Sequence, residues 1–586
     1  MKIDYSKDLL LTEFSHKTLE DRYLVGDEVS PQQAFARAAK AFADDEDHAQ
    51  RLYDYASNLW FMFSTPVLSN GGTERGMPIS CFLNYVEDSR EGITDHYTEN
   101  AYLSSFGGGI GGSWSAVRSQ GTKTSKGSES TGAIPFMKVV DAEMLAFSQG
   151  VTRRGSYAGY LHITHPEIEE FLDIRKATGG DINRKCTNLH HGIVINDKFM
   201  EVIHRATKEE NFDDSWELID PHTQQVKKVV SARTLWVKLL QNRMETGEPY
   251  LMFEDAVNQD LPEFQKKKGL YVNHSNLCSE ITLATNEERT AVCCLSSVNL
   301  EYYDLWSKIP AFIPDLVRML DNVLQHFIDN APEQMEKAKY SAMRERSIGL
   351  GAMGYHAYLQ KNQIPFESIG ASAANYTMFK HIKEDALQET RRLAVERGAC
   401  PDDDSCEVRN AHLLAIAPNA SSSIICGNTS PSIEPFRANA YTQKTKSGSH
   451  LQKNKYLEAL LETKDANTEA VWRDIVSNKG SVQHLEILSE DEKDIFKTAV
   501  EINQSWVVEH AAQRQEFVCQ SQSVNLFFPP DVTKGDLHNV HMLAWAKNLK
   551  TLYYLRSEAI SRADNVSNQV KREVIFEQED CLACEG

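Results

Sequence analysis

The residues best equipped for chemistry lie in Ser275-Asn276-Leu277-Cys278-Ser279-Glu280, which sets an amide, a thiol and a carboxylate at alternating positions. In an extended loop, side chains two apart point the same way, so Asn276, Cys278 and Glu280 can face one ligand. A thiol reaction with a base and a hydrogen-bonding orienter requires that set. The plainer reading is a polar loop around one buried cysteine. Further stretches add to the inventory. Cys293-Cys294 follows thirteen residues after Glu280 and runs into Ser297 and Asn299. Phe63-Ser64-Thr65-Pro66 leads through a glycine turn to Ser80-Cys81. Pro418-Asn419-Ala420-Ser421-Ser422 is a small-residue, hydroxyl-rich turn whose backbone amides could cradle a phosphate if a helix starts there. Tyr553 and Tyr554 stand side by side, and core packing is the ordinary use of such a pair.

Gly107, Gly109 and Gly112 satisfy a literal GxGxxG. The segment before them, Thr94 to Ser105, is polar and helix-like rather than an apolar strand, and no acidic residue follows about twenty positions on. The dinucleotide-binding reading is rejected. Close approach of backbone to a ligand explains the glycines better.

These residues need a scaffold. Ser30-Pro31 is a helix start, a capping side chain followed by proline, and Ala34, Ala38, Ala39 and Phe42 repeat at helical spacing. Thr164-His165-Pro166 predicts another helix, with Ile168, Phe171, Leu172 and Arg175 on one face. Gly192–Ile195 and Ser423–Ile425 read as strands. Short apolar strands alternating with helices over most of 586 residues suggest an α/β domain with its site on loops at strand ends. A content of 41% hydrophobic and 25% charged residues is that of an ordinary globular protein. No run of about 18 apolar residues predicts a membrane span, and the N-terminus lacks an apolar signal core, so a cytoplasmic protein is expected. A net charge of −21 argues against nucleic-acid binding. The eleven cysteines are an odd, scattered set, which excludes a secreted disulfide framework and leaves redox or metal chemistry for any that matter.

Taken together, the sequence resembles the ribonucleotide reductase large subunit from about residue 20 to the tail. The matching elements keep the family's order: the Thr-Pro segment, Ser80-Cys81, a GGGIG turn, Ser148-Gln149-Gly150, and Asn276-Leu-Cys278-Ser-Glu280. They continue through Cys293-x-Leu-x-Ser-x-Asn-Leu, Ile348-Gly349-Leu350-Gly351, Pro418 with its serines, Ile433-Glu434-Pro435, Gln520-Ser521 and Tyr553-Tyr554. One such element is weak evidence; eleven in order are strong.

The resemblance implies roles. Cys278 is similar to the thiyl-radical cysteine that abstracts the ribose 3′ hydrogen, Glu280 to the base on the 3′ hydroxyl, and Asn276 to the group that orients it. Cys81 and Cys293 resemble the pair that delivers two electrons and closes as a disulfide, with Cys294 as the other candidate by register. Thr65, Ser80, Gly109 and Pro418, Asn419, Ala420, Ser421 and Ser422 resemble substrate contacts. Tyr553 and Tyr554 look like the dyad of class I enzymes, which passes a radical from a ferritin-like, metal-containing small subunit, so no cofactor or metal is expected in this chain. Asp88, Ser105 and Arg118 resemble a specificity site for nucleotide effectors. The oxidised pair must be reset by a mobile dithiol. Cys581-x-x-Cys584 fits that role, ahead of a half zinc site that lacks two further ligands, and a thioredoxin- or glutaredoxin-type reductant is implied. The expected fold is a ten-stranded α/β barrel over 71–570 with Cys278 on a finger loop inside it, a helical region over 1–70, and a redox tail over 571–586. A homodimer is expected, and eighty residues before Cys81 leave no room for the N-terminal nucleotide-binding cone of some relatives. Two rivals remain: a cobalamin-dependent reductase with no protein partner, and a thiol–disulfide exchange protein.

Overall fold

The computed structural model describes residues 1–79, 81–147, 155–445 and 448–557, with the side chains of 443–450 left aside. The chain opens with helices. Ser30 caps Pro31–Phe42 in a full capping box with Gln33, and Asp45 caps Glu46–Ser57. Their apolar stripes (Ala34, Phe35, Ala38, Phe42 against Leu52 and Ala56) meet in the main core. Strand β1 (Phe61–Phe63) and the short helix Thr65–Asn70 then carry the chain toward the site.

Ten extended segments form the centre. Strands β2 (Cys81–Tyr85), β3 (Gly109–Ser113), β4 (Ser156–His162), β5 (His190–Ile195) and β6 (Tyr250–Phe253) pair in that order, each parallel to the next. A second parallel run begins with β7 (Ala291–Asn299) and β8 (Ile348–Met353). It continues through single bridges, Leu350 to Leu414 and Ile416 to Gln522. It ends where β9 (Leu526–Phe528) pairs with the last segment, β10 (Thr551–Leu552) and β11 (Leu555–Ser557). The halves meet antiparallel at both seams, β2 with β7 and β10 with β6. The ring is therefore closed, five strands against five, and this is the expected ten-stranded α/β barrel. Strands β6 to β8 are buried along their whole length, as expected where both faces are covered. Helix Phe312–Asn330 forms part of the outer cover.

Two local expectations are corrected. Ser423–Ile425 is not a strand but the end of helix Ala420–Ile425, entered through Asn419 in the left-handed region (φ 54°). A three-residue apolar run cannot distinguish a strand from a buried helical turn. The helix expected from Thr164 shrinks to Ile168–Phe171, because His165 is drawn away to Val117 O at 2.9 Å. Around the rejected GxGxxG the order is helix, turn, strand (Arg90–Ser105, then β3), the reverse of a dinucleotide-binding turn.

Candidate active site

Cys81 on β2 lies directly opposite Cys293 on β7, and Cβ atoms of such pairs are about 4.5–5.5 Å apart on one face. Both are thiols. They share a buried cluster with Ile281, Leu283, Ala415 and Ala417, which places them on the barrel's inner face. Cys294 points the other way by strand alternation, and its Sγ donates to Leu320 O at 3.3 Å in the outer helix. It is Cys293 that faces Cys81. Gly109 is the β3 register partner of Cys81.

The loop between β6 and β7 enters the barrel. Every residue from Ser275 to Glu280 is at most 3% exposed. A loop so buried must find partners for its backbone. Ser275 Oγ donates to Ile281 O at 2.8 Å, and Ile281 N–H returns to Asn276 Oδ1 at 3.1 Å. Tyr160 Oη donates to Asn276 O at 2.8 Å. From the opposite half, Ser521 N–H donates to Glu280 O at 2.9 Å and Ser523 Oγ to Cys278 O at 2.5 Å. Gly111 makes the approach possible, since a Cβ there would meet Ser275 O at 2.1 Å.

Glu280 is fully buried, and burial pushes its carboxyl up to about 7 against the opposing polar groups of Asn276 and Ser523. Its Oε1 and the Asn276 Nδ2 are both buried without hydrogen-bond partners. Each such group costs about 1–3 kcal/mol, a cost that a bound hydroxyl, donating to the carboxylate and accepting from the amide, would remove. A carboxyl near neutrality is suited to take a proton and return it.

Cys278 also belongs to a buried cluster with Leu277, Tyr250, Tyr553 and Tyr554. The Tyr553 and Tyr554 ring centroids are 4.3 Å apart, and Tyr250 lies 4.7 Å from the first and 5.0 Å from the second. Three oxidisable rings thus lead to the loop's thiol. Tyr554 Oη is 3.3 Å from His190 Nδ1, which lies 2.6 Å from the buried Glu248.

The family model described as "Ribonucleotide reductase, barrel domain" matches residues 79–405 and 404–555, and "Ribonucleotide reductase, all-alpha domain" matches 9–76. The chain belongs to the ribonucleotide reductase family. A large subunit of ribonucleoside-diphosphate reductase from Invertebrate iridescent virus 3 is 44% identical, with all of both chains covered. The large subunit from Vaccinia virus (strain Copenhagen) is 30% identical across all of this chain and 83% of its own. Among solved structures, the Actinobacillus ureae class Id ribonucleotide reductase alpha subunit matches with a TM-score of 0.83 at 34% identity, over 96% of this chain and 100% of that one. Neither the cobalamin-dependent nor the thiol-exchange alternative finds support among these relatives.

For a ribonucleotide reductase, the remaining expected residues fall as follows. Pro418 and Ala420 line a cleft that Tyr553, Tyr554, Glu434 and Asn525 also line. Ser421 and Ser422 are buried in the first turn of the helix that starts there. The Asn419 side chain is occupied structurally, donating to Ala352 O and Ala417 O and accepting from Ser297 Oγ. Thr65 is buried with Oγ1 3.0 Å from Tyr23 Oη. Asp88 and Arg118 come together in an ion pair at 3.0 Å that His222 joins. Ser105, in contrast, sits at the far end of helix Arg90–Ser105, with its hydroxyl bonded to Ala101 O. Ser80, Ser148, Gln149, Gly150, Cys581 and Cys584 lie outside the described residues. Sequence reading did not single out Tyr250, Ser523 or His190. No local pattern marks Tyr250, and only the barrel's closure brings β6 against the last segment.

Proposed function

We propose that this chain is the catalytic subunit of a class I ribonucleoside-diphosphate reductase, converting ribonucleotides to 2′-deoxyribonucleotides for DNA synthesis. The observation that carries the reading is the meeting, inside one barrel, of a facing thiol pair with a buried loop that bears a third thiol and a carboxyl near neutrality. An unactivated ribose C–H bond yields to a hydrogen-atom abstractor, and acid–base groups alone cannot supply one. Cys278, as a thiyl radical, takes the 3′ hydrogen, while Glu280 takes the 3′-hydroxyl proton and Asn276 holds that hydroxyl. The 2′ hydroxyl leaves as water. Two thiols become one disulfide, with one thiol hydrogen ending on C2′ and the other in that water, and Cys278 then returns the hydrogen to C3′ and becomes a thiyl radical again.

The radical enters through Tyr554 and Tyr553 from a ferritin-like small subunit carrying a metal centre. The cleft beside Pro418–Ser422 takes the substrate phosphates, with Thr65, Ser80 and Gly109 contributing contacts. Asp88, Ser105 and Arg118 belong to an effector site for nucleoside triphosphates. Ser105 meets the Asp88–Arg118 pair there only if a second copy of the chain contributes to that site, in keeping with a homodimer. Cys581 and Cys584 reset the disulfide and are themselves reduced by a thioredoxin- or glutaredoxin-type protein. The test is direct: chain, small subunit, dithiol and each ribonucleoside diphosphate, assayed for deoxynucleotide. Product that requires both proteins is expected; no product from any diphosphate overturns the reading.

A further inference from the structure

Gln520 is held as firmly as the catalytic loop itself. Its N–H donates to Leu414 O at 3.1 Å, and its carbonyl accepts from Lys550 Nζ at 2.9 Å. The residues that follow it, Ser521 and Ser523, grip Glu280 and Cys278. The side chain is fully buried. Its Nε2 donates to Ile348 O at 2.9 Å and to Cys293 Sγ at 3.6 Å. A carbonyl can only accept, so the Ile348 contact fixes which end of the amide faces the sulfur. On the neighbouring strand Gly349 leaves the sulfur its place, since a Cβ there would stand 3.0 Å from Cys293 Sγ. The Gln520 Oε1 is buried without a hydrogen-bond partner, which packing alone does not require.

We propose that Gln520 makes Cys293 the thiol of the reducing pair that gives up its proton and carries the resulting negative charge. The inference rests on the reductase reading above. A buried thiol resists ionisation: burial pushes Cys293 well above the usual thiol range, Cys294, Cys81 and Glu280 add to the rise, and Gln520 opposes it. An N–H aimed at the sulfur stabilises the thiolate far more than the thiol. The proton of Cys293 leaves with the 2′ hydroxyl as water, and the C3′ radical becomes a 3′-ketone with the unpaired electron at C2′. Cys81 gives a hydrogen atom to C2′, and its thiyl radical joins the Cys293 thiolate as a disulfide radical anion. That anion passes one electron to the ketone, the Glu280 carboxyl supplies the proton, and a neutral disulfide remains.

Without the amide donor Cys293 keeps its proton. The 2′ hydroxyl then leaves with the 3′-hydroxyl proton that Glu280 has taken, no thiolate is ready to join the Cys81 thiyl radical, and reduction of the ketone slows. Intermediates left waiting as a 3′-ketone then eliminate their base across C1′–C2′. The fraction of committed substrate that ends as free base therefore reports the step, whichever step limits turnover. The experiment uses the full chain with its small subunit and compares wild type with Gln520→Leu and the isosteric Gln520→Glu. Nucleotide affinity should stay within about twofold, while the ratio of free base to deoxynucleotide rises about ten- to a hundredfold, the size of a lost hydrogen bond to a charged atom. The excess base loss should shrink as pH rises. If Gln520→Leu fails to bind nucleotide, Gln520→Glu carries the test. A wild-type product ratio in the binding-competent variant, or a raised ratio that does not change with pH, overturns the assignment. A wild-type chain that makes no deoxynucleotide overturns the reductase reading itself, and this inference with it.

Discussion

At Glu280, environment converts an ordinary carboxylate into a group that titrates where the enzyme works. Burial holds its carboxyl up at about 7, from 4.5 for an unperturbed glutamate. As a base it must be ionised, so product formation should rise with pH through about 7, and Glu280→Gln should abolish that limb along with nearly all activity. The stability consequence has the opposite slope. Between pH 4.5 and about 7 the folded chain binds the proton more tightly than the unfolded one, so stability contributed by the neutral group is lost as pH rises across that window. Glu280→Gln should therefore be more stable than wild type by up to about 3 kcal/mol at pH 8 and no different below pH 4.5; equal stability at pH 8, measured by denaturant unfolding, would show that the carboxyl is not perturbed. The alternation of Asn276, Cys278 and Glu280 was legible in the sequence because a period of two survives without tertiary information. Their burial was not, since six polar or small residues give no hydrophobic signal. The choice between Cys293 and Cys294 was likewise open until β7 was placed, because one residue of register sends a side chain to the opposite face.

The finger loop is an element without regular secondary structure, and its precision comes from what it lies on. Gly111 on β3 and the 521–523 segment hold it from opposite halves of the barrel. Gly111→Ala brings a Cβ within 2.1 Å of Ser275 O, a backbone atom that can move only with the loop. The expected result is a folded chain, destabilised by about 1–3 kcal/mol, whose turnover falls at least about a hundredfold because reacting groups shift by about an ångström. Turnover within twofold of wild type would mean that the loop is not seated as described. The capped helix at Ser30-Pro31 was readable from local chemistry, and so was β5. Helix Ala420–Ile425 was not, because three serines and two isoleucines fit either period and tertiary packing decided. The segments 412–416 and 520–524 were equally hidden, being joined to their barrel neighbours by isolated bridges rather than by a ladder.

On the scale of the whole molecule, the barrel's closure brings the chain's last described segment against β6 and so delivers Tyr553 and Tyr554 to Cys278. No local pattern could reveal that contact, which spans 275 positions of sequence; only the resemblance suggested it. Tyr553→Phe and Tyr554→Phe each remove one oxygen and should leave folding and nucleotide affinity intact while abolishing product, because a phenylalanine ring cannot release an electron and a proton together. Wild-type turnover by either variant contradicts radical entry by this route. Replacing both Cys581 and Cys584 with serine should stop multiple turnover with a protein reductant and spare one turnover by the prereduced chain; loss of that first turnover places those cysteines elsewhere in the mechanism. The central claim, that Cys278 takes the ribose 3′ hydrogen and returns it, is tested most directly with a substrate deuterated at C3′, supplied with the small subunit and a dithiol. The account predicts slowed consumption of the deuterated substrate, deuterium retained at C3′ of the deoxynucleotide, and no product from Cys278→Ser. Deuterium lost entirely to water without an isotope effect, or product from Cys278→Ser, would contradict it.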